Sequence, residues 1–510
     1  MSFDEKRAEL RRRQQKANAM GSPRILAGMA EDGLLNARQR VDALLDAGSF
    51  HEIGQLAVAD RPEIREKTPA DGVVSGFGEI DGRRVGVCAS DFSVLGASSA
   101  AIAGKKHGYV KKSAQRSGFP LIELGECSGS RIPDAMGARG MADTIIGFAG
   151  GSYQKGRVVP WVSAILGQSF GGSTWQAMVS DFVVMRKGAI MGVASPRVTE
   201  LAISEPVDPE ELGGWRVHAQ QTGMIDAVAD TDEDALRIIR RFLSYLPSNN
   251  GEKPPEAPIP EGSGEDQERL LKVVPEQRTK VYDMRKAIEI IADKGSWFPL
   301  KDSFAKVAVT GFARFGGRSV GIVASNPLFK GGAFDAEACD KVLAFIVLCD
   351  SFNVPLVFLA DTPGFFIGRT GEKEKLGAKI MNWILALDQV TVPTVTVILR
   401  KAFGMALHNM FVGRASETAC WPGAEISFMD PATAVNVVYG VKHEDDPEKF
   451  GTMLEAVSGE TSAFDFAEAF ATQTVIDPLE TRDFIIRALK AHARPSGLGE
   501  HRLANWPVKF

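Results

Sequence analysis

Four short glycine-rich segments hold the residues with the clearest chemical potential. GECSGSRI (125–132) and ADTPGFFIG (360–368) form one pair, and GQSFGGS (167–173) and KAFGMA (401–406) form a second; each follows an apolar, strand-like run. A glycine-rich turn from strand to helix exposes backbone N–H groups at a helix N-terminus, where the helix dipole also favours negative charge. Such a turn holds an anion, or an oxyanion that exists only while a reaction is under way. The competing reading is that these glycines only make tight turns for sheet packing, and the recurrence of each loop at a matching place weighs against it.

GQSFG (167–171) also satisfies G-x-S-x-G between a strand and a helix, the setting of a serine hydrolase nucleophile. Ser169 would attack, but the available acid and histidine, Asp226 and His218, stand in reverse chain order, and the matching loop has Ala402 in the place of Ser169. There is no GxxxxGK[ST] phosphate loop, no HExxH and no evident pair of catalytic carboxylates. Five cysteines (88, 127, 339, 349 and 420) form no CxxC pair and no metal-ligand spacing, so no metal is expected. This shortage of acid–base side chains points to chemistry run by backbone dipoles, with the substrates themselves taking the proton. Arg131 and Arg369 follow the first pair of loops, where either could meet a carboxylate or phosphate, and His408 lies one helical turn beyond Gly404.

The loops sit in a duplicated chain. SGFGEIDGRRVGVCASDFSVL (75–95) is echoed by TGFARFGGRSVGIVASNPLFK (310–330), and SGFPLIELGECSG (117–129) by FNVPLVFLADTPG (352–364). Gly311 follows Gly76 by 235 positions, Pro355 follows Pro120 by 235, and Gly404 follows Gly171 by 233. A near-constant offset over more than a hundred residues means a repeated domain. In each half, runs rich in Val, Ile and Leu alternate with helical patterns, which predicts the α/β class, with parallel sheets covered by helices. The Pro- and Gly-rich stretch 247–264 reads as a linker between an N-terminal domain (1–246) and a C-terminal domain (265–510). Two such domains can face each other and hold two reactants across a shared cleft.

The formal net charge of −5, with both signs mixed along the 510 residues, argues against a nucleic-acid partner. No apolar stretch reaches the length of a membrane span, and the basic run EKRAELRRRQQK (5–16) lacks the features of a signal peptide. A reduced, cytoplasmic protein is the simplest expectation.

At these loops the chain resembles the carboxyltransferase (β) subunits of biotin-dependent acyl-CoA carboxylases, such as propionyl-CoA carboxylase, a crotonase-superfamily fold. TPADGVVSGFGEIDGR (68–83), SGSRI (128–132), DPEELGGWRVH (208–218), VPLVFLADTPGF (354–365), RKAFG (400–404) and WPGAEI (421–426) match in order. The resemblance implies two crotonase-like domains, the N-terminal one on the acyl-CoA side and the C-terminal one on the biotin side. It also implies a reaction: carboxybiotin releases CO2, the ureido anion takes the α-proton of an acyl-CoA, and the enolate captures CO2. Carried over by residue, Gly171 and Gly172 would form the thioester oxyanion hole and Met405 and Ala406 the biotin hole. Gly129, Ser130, Arg131, Ser173, Pro363, Gly364, Phe365, Gly404 and His408 would line the substrate sites. Biotin would arrive on a separate biotin carboxyl carrier chain, loaded by a biotin carboxylase, because no Met-Lys-Met acceptor or ATP loop is present in this sequence. The family cleft joins the N-half of one subunit to the C-half of another, which implies a homo-oligomer, usually a hexamer.

This chain departs from the family where FGMA (403–406) replaces YGGA, so that Met405 stands for a glycine. If that glycine sat at positive φ, methionine would strain or reshape the turn. Two other readings follow from this departure, an acyl-CoA decarboxylase of the same fold and a non-catalytic CoA-binding subunit, and the G-x-S-x-G match keeps a third open, a serine hydrolase using Ser169.

Overall fold

The computed structural model describes residues 2–142, 156–507 and 509. Apart from the extreme C-terminus, the chain splits into two compact units, Met1–Gly251 and Glu252–Val508. The stretch 247–264 is divided between them. Asn250 N–H donates to Val158 O in the first unit, and Ala257 N–H donates to Gly317 O in the second.

The first unit holds strands β1 (His51–Glu52), β2 (Val73–Ile80), β3 (Arg83–Ser90), β4 (Leu121–Cys127), β5 (Trp161–Phe170), β6 (Phe182–Arg186), β7 (Ile190–Gly192) and β8 (Ala227–Ala229). They form one sheet in the order β1-β2-β3-β4-β5-β6-β8, with β7 beside β5. The second unit holds β9 (Phe298–Leu300), β10 (Ala308–Phe315), β11 (Arg318–Ser325), β12 (Leu356–Thr362), β13 (Thr394–Phe403), β14 (Glu417–Cys420), β15 (Glu425–Ser427) and β16 (Thr474–Val475). Its sheet runs β9-β10-β11-β12-β13-β14-β16, with β15 beside β13, so the topology repeats strand for strand. From β3 to β6 and from β11 to β14 the pairing is parallel. The central strands are almost wholly buried, which accounts for their continuous apolar runs.

An antiparallel hairpin opens each sheet, a feature the expectation of parallel sheets omitted. β2 pairs with β3 and β10 with β11. The turns are Asp81–Gly82 (φ 51° and 72°) and Gly316–Gly317 (φ 60° and 83°), left-handed at both positions as two-residue hairpins prefer.

The longest central strand of each sheet is shared between two neighbours. β5 pairs with β6 over Val162–Ile165 and with β7 over Gln168–Phe170. β13 pairs with β14 over Val395–Ile398 and with β15 over Lys401–Phe403. Each long strand also slips register beside its other neighbour, between Gly125 and Cys127 of β4 and between Ala360 and Thr362 of β12. The ends of β5 and β13, where the glycine loops begin, are thereby held by a pairing of their own.

A buried lysine repeats as well. Lys106, on the helix Ala101–Ser117, donates to Ala70 O and Val73 O. Lys341, on the helix Ala336–Ser351, donates to Lys301 O, Phe304 O and Ala308 O at 2.7–2.9 Å. Each ties the covering helix to the chain entering the hairpin. Burial pulls the Lys341 ammonium down to about 7 and that of Lys106 to about 8.

Lys341→Met should strand three buried carbonyls and lower unfolding free energy by about 3 kcal/mol or more. Because the folded value for Lys341 lies below the ordinary 10.5, the unfolded chain binds the proton more readily between the two values. The lysine's contribution should therefore grow as pH rises from about 7 towards 10.5, widening the gap between wild type and variant. Denaturant titrations at pH 7 and 9 read both effects, and coincident midpoints would contradict this role.

Candidate active site

β5 ends at Phe170; Gly171 follows at φ 64°, ψ −112°, and the helix Gly172–Val179 begins at once. β13 ends at Phe403; Gly404 follows at φ 60°, ψ −152°, and the short helix Met405–Asn409 begins. A positive φ with such a ψ is open to glycine and strained for residues with a Cβ. The turn lets the chain reverse from strand into helix within one residue, and it leaves the first helical amides without partners inside their own helix. A Cβ at Gly172 would sit 2.7 Å from Ser99 Oγ, so a larger residue there requires that hydroxyl to turn aside.

The repeat pairs Gly171 with Gly404, Gly172 with Met405 and Ser173 with Ala406. The amide pairs carried over from the resemblance, Gly171–Gly172 and Met405–Ala406, are thus offset by one residue. Gly404 N–H already donates to Ser427 O at 3.0 Å, which leaves Met405 and Ala406 as the next amides of that turn. The strain anticipated at Met405 is absent. The left-handed residue is Gly404, and Met405 is not among the residues of positive φ. Its side chain is 51% exposed and lines an open hollow with Gly404, Leu407, His408, Ser427 and Phe428, while Ala406 is buried.

The other pair of loops matches equally closely. Gly129 and Gly364 take φ 114° and 127°. Gly129 N–H donates to Cys127 Sγ at 3.3 Å, and Gly364 N–H to Thr362 Oγ1 at 3.2 Å, so a thiol and a hydroxyl do the same work. Ser130 bridges to Ser99 as Phe365 bridges to Phe334, and Pro363 is exposed beside them. Arg131 does not stand open to a ligand. It is buried, with Nη1 on Asp71 Oδ1 at 2.8 Å and contacts to Ser98, so it braces the Gly129 turn.

In the first unit a cleft of about 1010 Å³, counting its open mouth, is lined by Gly171, Gly172, Ser173, Ser130, Trp175 and Gln176. Behind the turn, Glu126 accepts from Arg40 at 3.0 Å, and Arg40 also pairs with Asp232 at 2.9 Å. The equivalent acid in the second unit, Asp361, pairs instead with Arg400 at 2.7 Å and Lys401 at 3.2 Å. Gly167, the position matching Arg400, has no side chain, and a Cβ there would sit 2.2 Å from Glu126 Oε1. Each loop is therefore backed by a buried carboxylate and guanidinium, but the arginine comes from a different element.

Cys88, His107 and Glu123 bring their polar atoms within 4.8 Å of one another, and His107 and Glu123 line the same cleft with Cys88 buried beside them. Linear spacing missed this group because one residue comes from β3, one from a helix and one from β4. Burial, and then the Glu123 carboxylate, push the Cys88 thiol well up, so it is held neutral and is a poor metal ligand in that form.

The hydrolase residues do not converge. Ser169 Oγ is buried and bonded to Ser173 Oγ at 2.6 Å. His218 is engaged by Met191 O and Thr222 Oγ1, and Asp226 accepts from Val183 N–H. His408 Nε2 accepts from Arg414 Nη1 at 2.9 Å, and Arg414 in turn contacts Asp388. Among the described residues no helix is long and apolar enough to cross a membrane.

The profile of the carboxyl transferase domain matches residues 29–497. The propionyl-CoA carboxylase carboxyltransferase subunit of Haloferax mediterranei is 36% identical over 503 residues, covering 96% of each chain. The methylmalonyl-CoA decarboxylase subunit alpha of Veillonella parvula is 32% identical over 484 residues, covering 93% of each. The solved transcarboxylase 12S, a hexamer with methylmalonyl-CoA bound, superposes with a TM-score of 0.90 at 33% identity, covering 97% of this chain and 96% of its own.

A fluorophosphonate probe should leave Ser169 unmodified in the folded protein, since no histidine reaches its hydroxyl. Stoichiometric labelling at that residue, read by peptide mass spectrometry, would revive a hydrolase.

Proposed function

The chain belongs to the carboxyl transferase domain family, and from that premise we propose that it moves a carboxyl group between carboxybiotin and the α carbon of an acyl-CoA. The observation that carries the reading is the repeated turn: one left-handed glycine, then helix amides, at the end of the central strand in both units.

On this reading the thioester oxygen lies at the amides of Gly171 and Gly172. Negative charge grows on that oxygen as the α-proton leaves, so fixed N–H donors stabilise the enolate more than the ground-state thioester. Ser173 and Trp175 flank the acyl-CoA, and the Gly129–Ser130 turn, braced by Arg131, forms the opposite lip.

The hollow beside Met405 suits the ureido ring of biotin. Its walls, Leu407, Ile426 and Phe428, are apolar, and the Met405 and Ala406 amides stand at a helix start where a ring oxygen would be received. Carboxybiotin, when bound, supplies CO2 and the base. Gly404 positions the amides, Met405 covers the ring, and Pro363, Gly364 and Phe365 close the side. His408, held by Arg414, faces the hollow as a polar wall. Biotin carried on a partner chain and loaded by a biotin carboxylase completes the scheme.

Decarboxylation of a malonyl-type CoA is a second reading, supported by the relative named as a methylmalonyl-CoA decarboxylase subunit and by the Met405 departure. Assembly into copies is supported by exposed apolar residues just beyond each glycine turn. Ile132 and its repeat-mate Ile367 are 63% and 82% exposed.

The test is carboxyl transfer from a carboxybiotinylated carrier to propionyl-CoA. Gly172→Pro should lower kcat by roughly 10²–10³, because proline at the first helical position deletes one donor where a helix best tolerates it. No transfer to any acyl-CoA by the wild type, with CO2 release from methylmalonyl-CoA instead, would favour the second reading. Light scattering should give a multiple of the chain mass, and Ile132→Asp with Ile367→Asp should shift it towards the monomer; a monomeric wild type would contradict the assembly.

A further inference from the structure

The two copies part company at and just behind the wall of the first unit's cleft. The positions matching Cys88, His107 and Glu123 are Val323, Val342 and Phe358, and all three are fully buried. The matched lysines Lys106 and Lys341, one residue before His107 and Val342, hold both helices in the same register. The fold itself is therefore satisfied with apolar residues there, and the polar set in the first unit answers some other need.

The polar side chains around this group are under-partnered. Glu123 is 5% exposed, and His107 Nδ1 stands 2.9 Å from its Oε2 without the ring N–H aligned along that line. Gln176, 9% exposed, has no partner for Oε1, and Glu126, 4% exposed, has none for Oε2. All four side chains line the cleft that opens at Gly171 and Gly172. Buried acceptors that face a cavity are satisfied by something inside it. The unmatched atoms on Gln176 and Glu126 are acceptors, the Glu123 carboxylate beside them on the cleft wall is another, and His107 Nδ1 serves in either role, so the group that suits them all is a donor.

We propose that this cleft selects an acyl chain bearing a hydroxyl group, donated to Glu123 with Gln176 and His107 alongside, over a plain alkyl chain. The inference rests on the reading that the thioester sits at Gly171 and Gly172. It also disfavours chains tipped with a carboxylate, which would meet the Glu123 carboxylate on the cleft wall. A site built around a substrate hydroxyl discriminates strongly against the analogue that lacks it, because its own polar groups are then left unpaired.

The experiment measures dissociation constants of the full chain for butyryl-CoA, 3-hydroxybutyryl-CoA, 4-hydroxybutyryl-CoA and glutaryl-CoA by calorimetry. One hydroxyacyl-CoA should bind at least about tenfold more tightly than butyryl-CoA, and glutaryl-CoA more weakly than either. Glu123→Gln, and separately His107→Val with Glu123→Leu, should cut the hydroxyl preference to below about threefold. Equal affinity across the panel, or a preference that both variants retain, overturns the proposal. So does tight Zn²⁺ binding that is lost in Cys88→Ser and competes with acyl-CoA. The activity reading is separable: transfer from the carboxybiotinylated carrier to butyryl-CoA and hydroxybutyryl-CoA alike would sink the pocket and keep the activity. A hydroxyl preference without any transfer would do the reverse, and no affinity for any of the esters removes both.

Discussion

One backbone conformation governs this protein: a glycine at positive φ and strongly negative ψ, placed between the last residue of a long strand and the first residue of a helix. Gly171 and Gly404 both adopt it. The conformation turns a strand into a helix start without an intervening loop, so the first amides inherit the rigidity of the sheet. The division of β5 between β6 and β7, and of β13 between β14 and β15, serves the same end by pairing each strand up to the turn. The proposed catalysis by oriented N–H groups needs donors that do not reorganise during the reaction, and amides anchored in this way meet that requirement.

The repeat separates the framework common to both units from what specialises each. Features present in both units belong to the scaffold: the left-handed glycines, the lysine tying helix to hairpin, and the buried acid behind each loop. Features present in one unit mark specialisation. Cys127 and Thr362 make the same bond with different atoms, and Arg40 and Arg400 neutralise the same acid from different elements. The buried polar group of Cys88, His107 and Glu123 is replaced in the second unit by Val323, Val342 and Phe358, which is why we propose that it serves substrate recognition.

Much of this was legible in the sequence because a repeat exposes itself by offset, and parallel strands by unbroken apolar runs. The glycine turns were legible for the same reason, since they sit at fixed distances from those strands. Other features were hidden. Lys106 and Lys341 resemble surface lysines until the carbonyls of a distant segment surround them. Arg131 resembled a ligand-facing arginine because its partner Asp71 lies sixty positions away in the chain. The concern over Met405 came from assigning the left-handed conformation one residue too late; only backbone angles distinguish Gly404 from its neighbour. The pairing of His107 with Glu123 depends on helix rotation against the sheet, which linear spacing does not encode.

The central claim is that fixed amides polarise the thioester carbonyl in the first unit. Difference infrared spectroscopy of propionyl-CoA labelled with ¹³C at the thioester carbon reads that carbonyl directly. On binding, the stretch should move to lower wavenumber than in water, and the displacement should shrink in Gly172→Pro. A bound carbonyl absorbing at or above its frequency in water would mean that the turn does not hold the reacting oxygen.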